Sequence, residues 1–242
     1  MPNRRYKART SRAPDDVRAA QRLRARAFGP GEPEEGDAFD ARCAHVLVED
    51  QSDGRLVCCF RMLPLADGTG IAQSYAAQYY DLSALEGFGG PMVEIGRFCL
   101  DPDHHDPDIL RVAWAAMTRH VDDHGVRLLF GCSSFKGTDE AGYLDAFAML
   151  GDRHLAPQRW LPRARAPQVF RFAQLLRGRR TDYRLAMLRM PPLLRTYLAM
   201  GGWVSDHAVV DRQMNTLHVF TGVEIAAIPA ARKRLLRAMA AS

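Results

Sequence analysis

Residues 93–100 read V-E-I-G-R-F-C-L, a run suited to a buried strand except for Glu94 and Arg97. The glycine inside it, Gly96, marks a place where a strand bends or bulges. Alternation sets Val93, Ile95 and Arg97 against Glu94 and Phe98, unless a bulge at Gly96 shifts the register. A carboxylate in a central strand is costly unless it is paired, hydrogen-bonded or wet. Two readings of Glu94 follow from that cost. It is either half of a structural ion pair with Arg97 or Arg61, or a general base in a cleft, since both arrangements perturb charges.

Working outward, the neighbours of this strand set the fold class. Residues 14–28 place Val17, Ala20, Leu23 or Arg24, and Ala27 at helical spacing, with Asp15 and Asp16 in the first turn, where the helix dipole favours them. A glycine-, proline- and acid-rich loop follows. Cys43–Glu49 and Leu56–Leu63 read as a hairpin around Q-S-D-G. After the 93–100 strand, Asp106 is a good N-cap, Pro107 a good first helical residue and Gly125 a good stop, with Ile109, Val112, Ala113, Ala116 and Met117 along one face. Val126–Cys132 reads as a strand, S-S-F-K-G-T as a loop, and Thr138 as the cap of a helix to about Leu150. Residues 191–200 read as a helix, Trp203–Val210 and Thr216–Val223 as closing strands, and 229–240 as a terminal amphipathic helix. The expected class is α+β in three layers, a central mixed and mostly antiparallel sheet flanked by helices.

At 242 residues the chain is expected to hold one domain over 14–242, preceded by a basic mobile arm over 1–13. No apolar run reaches the length of a bilayer span, and the basic start lacks the apolar stretch of a secretory signal. The five cysteines, Cys43, Cys58, Cys59, Cys99 and Cys132, sit among apolar residues without a C-x-x-C pair, as small core residues in a reducing, cytoplasmic setting do. The formal net charge of +5 conceals an asymmetry. Between residues 153 and 195 eleven arginines face one acid, Asp182, so this segment is +10 and the rest −5. An anionic partner is implied: nucleic acid, a phospholipid surface or an acidic protein.

Several chemistries lack their motifs. His104, His105 and the aspartates around them crowd a loop, but they are explained as a turn and a helix cap, and the His120–His124 pair lacks the glutamate of H-E-x-x-H. No metal is therefore expected. Neither G-x-x-x-x-G-K-[ST] nor G-x-S-x-G occurs. Ser133 and Ser134, just past a strand end, are candidates for polar substrate contacts or turn residues.

The anchors Arg24-x-x-x-Phe28, D-A-F-D with Asp37 and Asp40, H-V-L-V, C-C-F-R-M-L-P with Arg61, and E-I-G-R-F with Glu94, Arg97 and Phe98 resemble, in order and spacing, the acyl-homoserine-lactone synthase branch of the general N-acetyltransferase (GNAT) superfamily. The chain is more similar to a sister branch, the ornithine lipid N-acyltransferases, through L-F-G-C-S-S-F-K-G-T-D at 129–139, P-P-L-L-R-T-Y-L at 191–198 and V-V-D-R-Q-M-N-T at 209–216. The resemblance spans roughly residues 20–220. Residues 29–38 lack the tryptophan usual in the lactone synthases.

The resemblance implies a GNAT fold and transfer of a 3-hydroxyacyl group from an acyl carrier protein thioester to the α-amine of ornithine, giving a lyso-lipid. Glutamine or lysine as acceptor, or lactone synthesis, remain alternatives. Glu94 and Arg97 are the catalytic candidates, with amides near Gly96 to Phe98 as oxyanion donors. Asp37 and Asp40 would hold the acceptor's cationic groups, or cap a turn. Arg24 and Arg61 would bind its carboxylate or pantetheine, or pair with those acids; Phe28 and Phe98 are core or acyl lining. No separate cofactor is implied, since phosphopantetheine arrives on the carrier protein. The turn D-H-H-D-P-D should repel the pyrophosphate of coenzyme A, while Arg177, Arg179 and Arg180 offer an acidic carrier protein a docking surface, or an anionic membrane a peripheral one. A basic adaptor for nucleic acid or lipid is the reading from a different class; it leaves Glu94 unexplained, and no nucleic acid is expected.

Overall fold

The computed structural model describes residues 5–29 and 33–241. Residues 1–4 of the expected arm and 30–32 of the loop after the first helix lie outside the described residues. In chain order the longer strands are β1 (Tyr6–Ser11), β2 (Ala44–Asp50), β3 (Leu56–Leu65), β4 (Met92–Leu100), β5 (Leu128–Lys136), β6 (Ala208–Asp211) and β7 (Thr216–Glu224). The helices are α1 (Pro14–Phe28), α2 (Pro107–Asp123), α3 (Leu144–Arg153), α4 (Phe172–Leu175), α5 (Tyr183–Arg189), α6 (Pro192–Ala199) and α7 (Ala230–Ala241). The chain forms two compact units: residues 1–64, 95–126 and 230–242 make the first, residues 65–94 and 127–229 the second. The chain passes from the second to the first within β4, after Glu94.

In the first unit, β1 pairs antiparallel with β2 from Tyr6 opposite Asp50 to Ser11 opposite His45, and β2 pairs antiparallel with β3. Residues 6–11 were expected in a mobile arm and are instead an edge strand. Two of the basic residues that suggested an arm find acids: Arg5 Nε donates to Asp50 at 2.8 Å, and Arg9 Nη2 to Glu49 at 2.7 Å. Tyr6 is buried and its hydroxyl donates to Asp106. Ala20 and Leu23 of α1 pack with Leu47, Cys59 and Cys99. One turn after Ala20, on that same face, α1 carries Arg24 into the interior. Helix α2 starts where its sequence signals, with the Asp106 carboxylate accepting the Asp108 amide, and buries Ile109, Ala113, Met117 and Val121 four residues apart. Cys43, Cys58, Cys59 and Cys99 are unbridged and buried, and Cys132 is half-buried.

In the second unit, β5 and β7 pair antiparallel over nine residues, from Lys136 opposite Thr216 to Leu128 opposite Glu224. Strand β6 pairs with β7, and the first residues of β4 run parallel to β5, from Met92 beside Leu128 to Glu94 beside Phe130. Ser133 and Ser134, read as loop residues, lie inside β5, because the β7 partner continues the ladder past them. The helix expected from Thr138 begins at Leu144, after a 3₁₀ turn over Ala141–Tyr143. The strand expected over 203–210 is two pieces, Trp203–Val204 and β6, since Ser205 turns inward and its hydroxyl donates to the His207 carbonyl. One face of this sheet and α3, α4, α5 and α6 enclose a core of Phe135, Phe147, Leu150, Phe172, Leu194 and Val219.

Candidate active site

The predicted residues fall in both units, and those of the first form a cluster. In the first, α1 supplies Arg24, the loop before β2 supplies Asp37 and Asp40, β3 supplies Arg61 and β4 supplies Arg97. Arg24 is 1 % exposed and grips Asp40 with two parallel bonds, Nη1 to Oδ1 at 2.9 Å and Nη2 to Oδ2 at 2.5 Å. Arg61 bridges both aspartates, donating from Nη1 to Asp37 Oδ1 at 2.6 Å and Asp40 Oδ1 at 2.7 Å, and from Nη2 to Asp37 Oδ2 at 2.9 Å. Arg97 donates to Glu35 Oε1 at 2.9 Å and Asp37 Oδ2 at 3.0 Å. Gln21 adds a donor to Asp40 at 2.9 Å. Three guanidiniums thus meet three carboxylates. Fork-shaped donors on planar acceptors are the strong form of such contacts.

Burial pushes the Asp40 carboxyl up, but the hydrogen bonds from Arg24, Gln21 and Arg61 outweigh it and hold the group well below its ordinary value. Asp37 behaves alike: burial raises it, and the Arg61 bond with the Arg61 and Arg97 charges brings it below the ordinary value. Both acids are held by the chain's own arginines, the pairing the sequence left open as an alternative to holding substrate. Glu35 was missed. Its only sequence signal was an acid within a glycine-rich loop that must close onto an arginine-bearing helix.

Arg97 has φ 54°, left-handed for a residue with a side chain. The irregular backbone expected at Gly96 therefore falls one residue later. At Gly96 itself a Cβ would meet Arg61 Nε at 3.4 Å, an ordinary contact, so the structure gives no steric reason for glycine there. Phe98 stacks on Phe60 with centroids 5.0 Å apart and planes 6° apart, whereas Phe28 ends α1 at 41 % exposure.

In the second unit Glu94 is 5 % exposed. Its Oε1 accepts the Ala76 amide and its Oε2 the Tyr75 amide, each at 2.7 Å, so both oxygens are used as an ionised carboxylate uses them. The register extends its surroundings. Glu94 pairs with Phe130, Cys132 with Phe220 and Ser134 with His218, placing these side chains on the face opposite the helical core. Tyr79 lies edge-on to His218, with ring centroids 5.0 Å apart, and its hydroxyl is 3.3 Å from that of Tyr75. Burial, then the Tyr75 contact, raises Tyr79 well above the ordinary tyrosine value, so it stays a neutral O–H donor. Tyr80 donates its one proton to the His218 carbonyl at 2.8 Å and lies 3.1 Å from Nδ1. Ser133, on the other face, accepts from Thr221 at 2.9 Å, and Ser134 is exposed. Sequence reading passed over Tyr75, Tyr79, Tyr80 and His218. The aromatic density of Y-A-A-Q-Y-Y at 75–80 was the available signal.

Arg177, Arg179 and Arg180 are exposed between α4 and α5. Among the described residues no group of three His, Cys, Asp or Glu side chains is placed to hold a metal. Nor is any helix among them long and apolar enough to cross a membrane.

Residues 23–115 match the model of the acetyltransferase (GNAT) domain family. The L-ornithine N(alpha)-acyltransferase of Rhodobacter capsulatus is 34 % identical over 230 residues, covering 88 % of both chains. Its namesake in Brucella abortus is 27 % identical over 84 % of this chain and 79 % of its own. Among solved structures, TofI in an apo form has a TM-score of 0.50 at 16 % identity, over 96 % of this chain and 99 % of its own, a likeness of fold alone. The expected GNAT-type fold, a mixed central sheet flanked by helices, is the fold found.

Proposed function

Because this chain belongs to the L-ornithine N(alpha)-acyltransferase family and is an acyltransferase with a GNAT domain, we propose that it moves a 3-hydroxyacyl group from an acyl carrier protein thioester to the α-amine of ornithine, giving the lyso form of an ornithine lipid. The observation that carries the reading is Glu94, a buried carboxylate at the last paired residue of the β4–β5 ladder, held by two amides and sharing its face with Ser134 and His218. The acceptor arrives as an ammonium and cannot attack until a proton is removed. Glu94, directly or through one water, takes it; a positioned base contributes about 10²–10⁴ in rate. The amine nitrogen then bonds to the thioester carbonyl carbon, the C–S bond breaks, and the second ammonium proton leaves with the pantetheine sulfur as a thiol. The account needs no cofactor beyond the donor's own pantetheine. In this reading Asp37, Asp40, Arg24 and Arg61 hold the loop before β2 in place, Arg97 positions Glu35 and Asp37, and Phe98 packs the sheet.

The donor choice rests on α2. Its first amides face Asp106 and Asp108 of its own chain, and Asp106 accepts the Asp108 amide at 2.9 Å. A helix start so supplied with carboxylates repels a pyrophosphate, whereas a carrier protein brings pantetheine without one.

The test is to incubate the protein with 3-hydroxyacyl carrier protein or the matching coenzyme A thioester, and with ornithine, glutamine or lysine, following thiol release and product mass. One thiol per N-acylornithine, from the carrier protein donor, is expected. Product from coenzyme A alone refutes the donor, and product from another amino acid alone refutes the acceptor.

A further inference from the structure

The segment 171–195 carries seven arginines and one acid, Asp182. Asp182 is used locally, accepting the amides of Arg184 and Leu185 to cap α5. Arg179 lies 3.8 Å from Asp145. Arg177, Arg180, Arg184 and Arg189 are exposed and make no ion pair among the described residues. The same stretch exposes large apolar side chains: Leu188 at 74 %, Leu175 at 65 %, Met187 at 43 %, Tyr183 at 40 % and Leu185 at 38 %. These are five of the eight large apolar residues so exposed among the described residues, gathered within fourteen positions.

The segment is anchored from beneath. Phe172, Ala186 and Met190 are buried in the core with Phe147 and Leu150. With Ala186 pointing inward, helical spacing turns Arg184 and Leu188 outward together, flanked by Leu185 and Met187. Leucine beside arginine on one ridge is thus a result of how α5 is seated.

Charge alone would suit a nucleic acid or an acidic protein. It gives no reason to hold Leu175 and Leu188 in water, where each forgoes the gain of burial. A bilayer with anionic headgroups accepts both: guanidiniums bind lipid phosphates, and short apolar side chains enter the headgroup–acyl boundary. We propose that the α4–α5 ridge, through Leu175, Leu188 and Met187 with Arg177, Arg180 and Arg184, docks the protein onto an anionic phospholipid bilayer. This inference does not rest on the acyl-transfer reading.

Flotation of the full chain with vesicles of phosphatidylglycerol and phosphatidylcholine tests it, against vesicles of phosphatidylcholine alone. Binding is expected on the anionic vesicles only, and it should weaken as salt is raised. The variant Arg177→Glu/Arg180→Glu should lose at least about twenty-five-fold in vesicle affinity, about five-fold for each arginine near such a surface. Leu175→Ser/Leu188→Ser keeps the charge and should lose about ten-fold or more, while circular dichroism and unfolding midpoints of both variants stay near wild type. Three outcomes overturn the proposal: no binding to anionic vesicles, loss in the charge variant without loss in the leucine variant, or unchanged vesicle binding in the charge variant with a raised Michaelis constant for acyl carrier protein. The last of these assigns the ridge to the carrier protein.

Discussion

The two units use arginine in opposite ways. In the first, Arg5, Arg9, Arg24, Arg61 and Arg97 each meet a carboxylate within 3.0 Å, and the guanidiniums of Arg24 and Arg61 are almost fully buried. In the second, the arginines of the α4–α5 ridge stand in solvent, and among the described residues Arg179 alone of them is near an acid, at 3.8 Å. One residue type therefore fixes a loop against a helix in one place and is left available for an anion in the other. The acids that the fold brings within reach decide which.

The comparison can be broken first at Arg24. Arg24→Met leaves Asp40 buried with a lost partner and should cost about 3–5 kcal/mol in urea unfolding, as removing one member of a buried pair does. A loss below ~1 kcal/mol would mean the clasp is loosely held. Acid probes the same clasp without mutation. Asp37 and Asp40 have folded values depressed below the ordinary one. Their contribution is thus complete above the unfolded value of about 4 and is lost as pH falls through the folded values. The urea midpoint should drop steeply below about pH 4, and Asp40→Asn should flatten that drop.

Arg97 separates backbone strain from pairing. Its left-handed φ costs of order 1–3 kcal/mol, which glycine does not bear. Both Arg97→Ala and Arg97→Gly lose the bonds to Glu35 and Asp37, so Arg97→Gly should be the more stable by about 1 kcal/mol in thermal unfolding. The reverse order would show that the strain is not real. The smallest effect belongs to the other population: Arg180→Ala should change stability by less than about 0.5 kcal/mol, since it touches no buried partner.

Much of the fold could be read wherever local signals and tertiary demand agree. Asp106, Pro107 and the four-residue repeat from Ile109 made α2 legible, and Q-S-D-G made the β2–β3 hairpin legible. Strand β1 was hidden because its outward face is basic, and the acids of β2, 40 and 45 residues away, join Asp16 of α1 in turning that face into paired structure. The length of β5 was hidden because Ser133 and Ser134 lack strand propensity and are held by pairing to β7. In the site, Arg24, Arg61, Asp37 and Asp40 were identified as a set, while their mutual pairing and the entry of Glu35 depend on how a loop closes. His218 shares the Glu94 face through strand register, and Tyr79 and Tyr80 join it through contacts with His218, which no local pattern reports.

The central claim is that Glu94 takes the proton from the acceptor amine. Its most direct test is single-turnover formation of N-acylornithine from 3-hydroxyacyl carrier protein by wild type and by Glu94→Gln, which keeps the side chain's shape. The account predicts a fall of about 10²–10⁴ in the rate, with an unfolding midpoint close to wild type. A Glu94→Gln enzyme that forms product within about two-fold of the wild-type rate, well short of what a positioned base contributes, contradicts it.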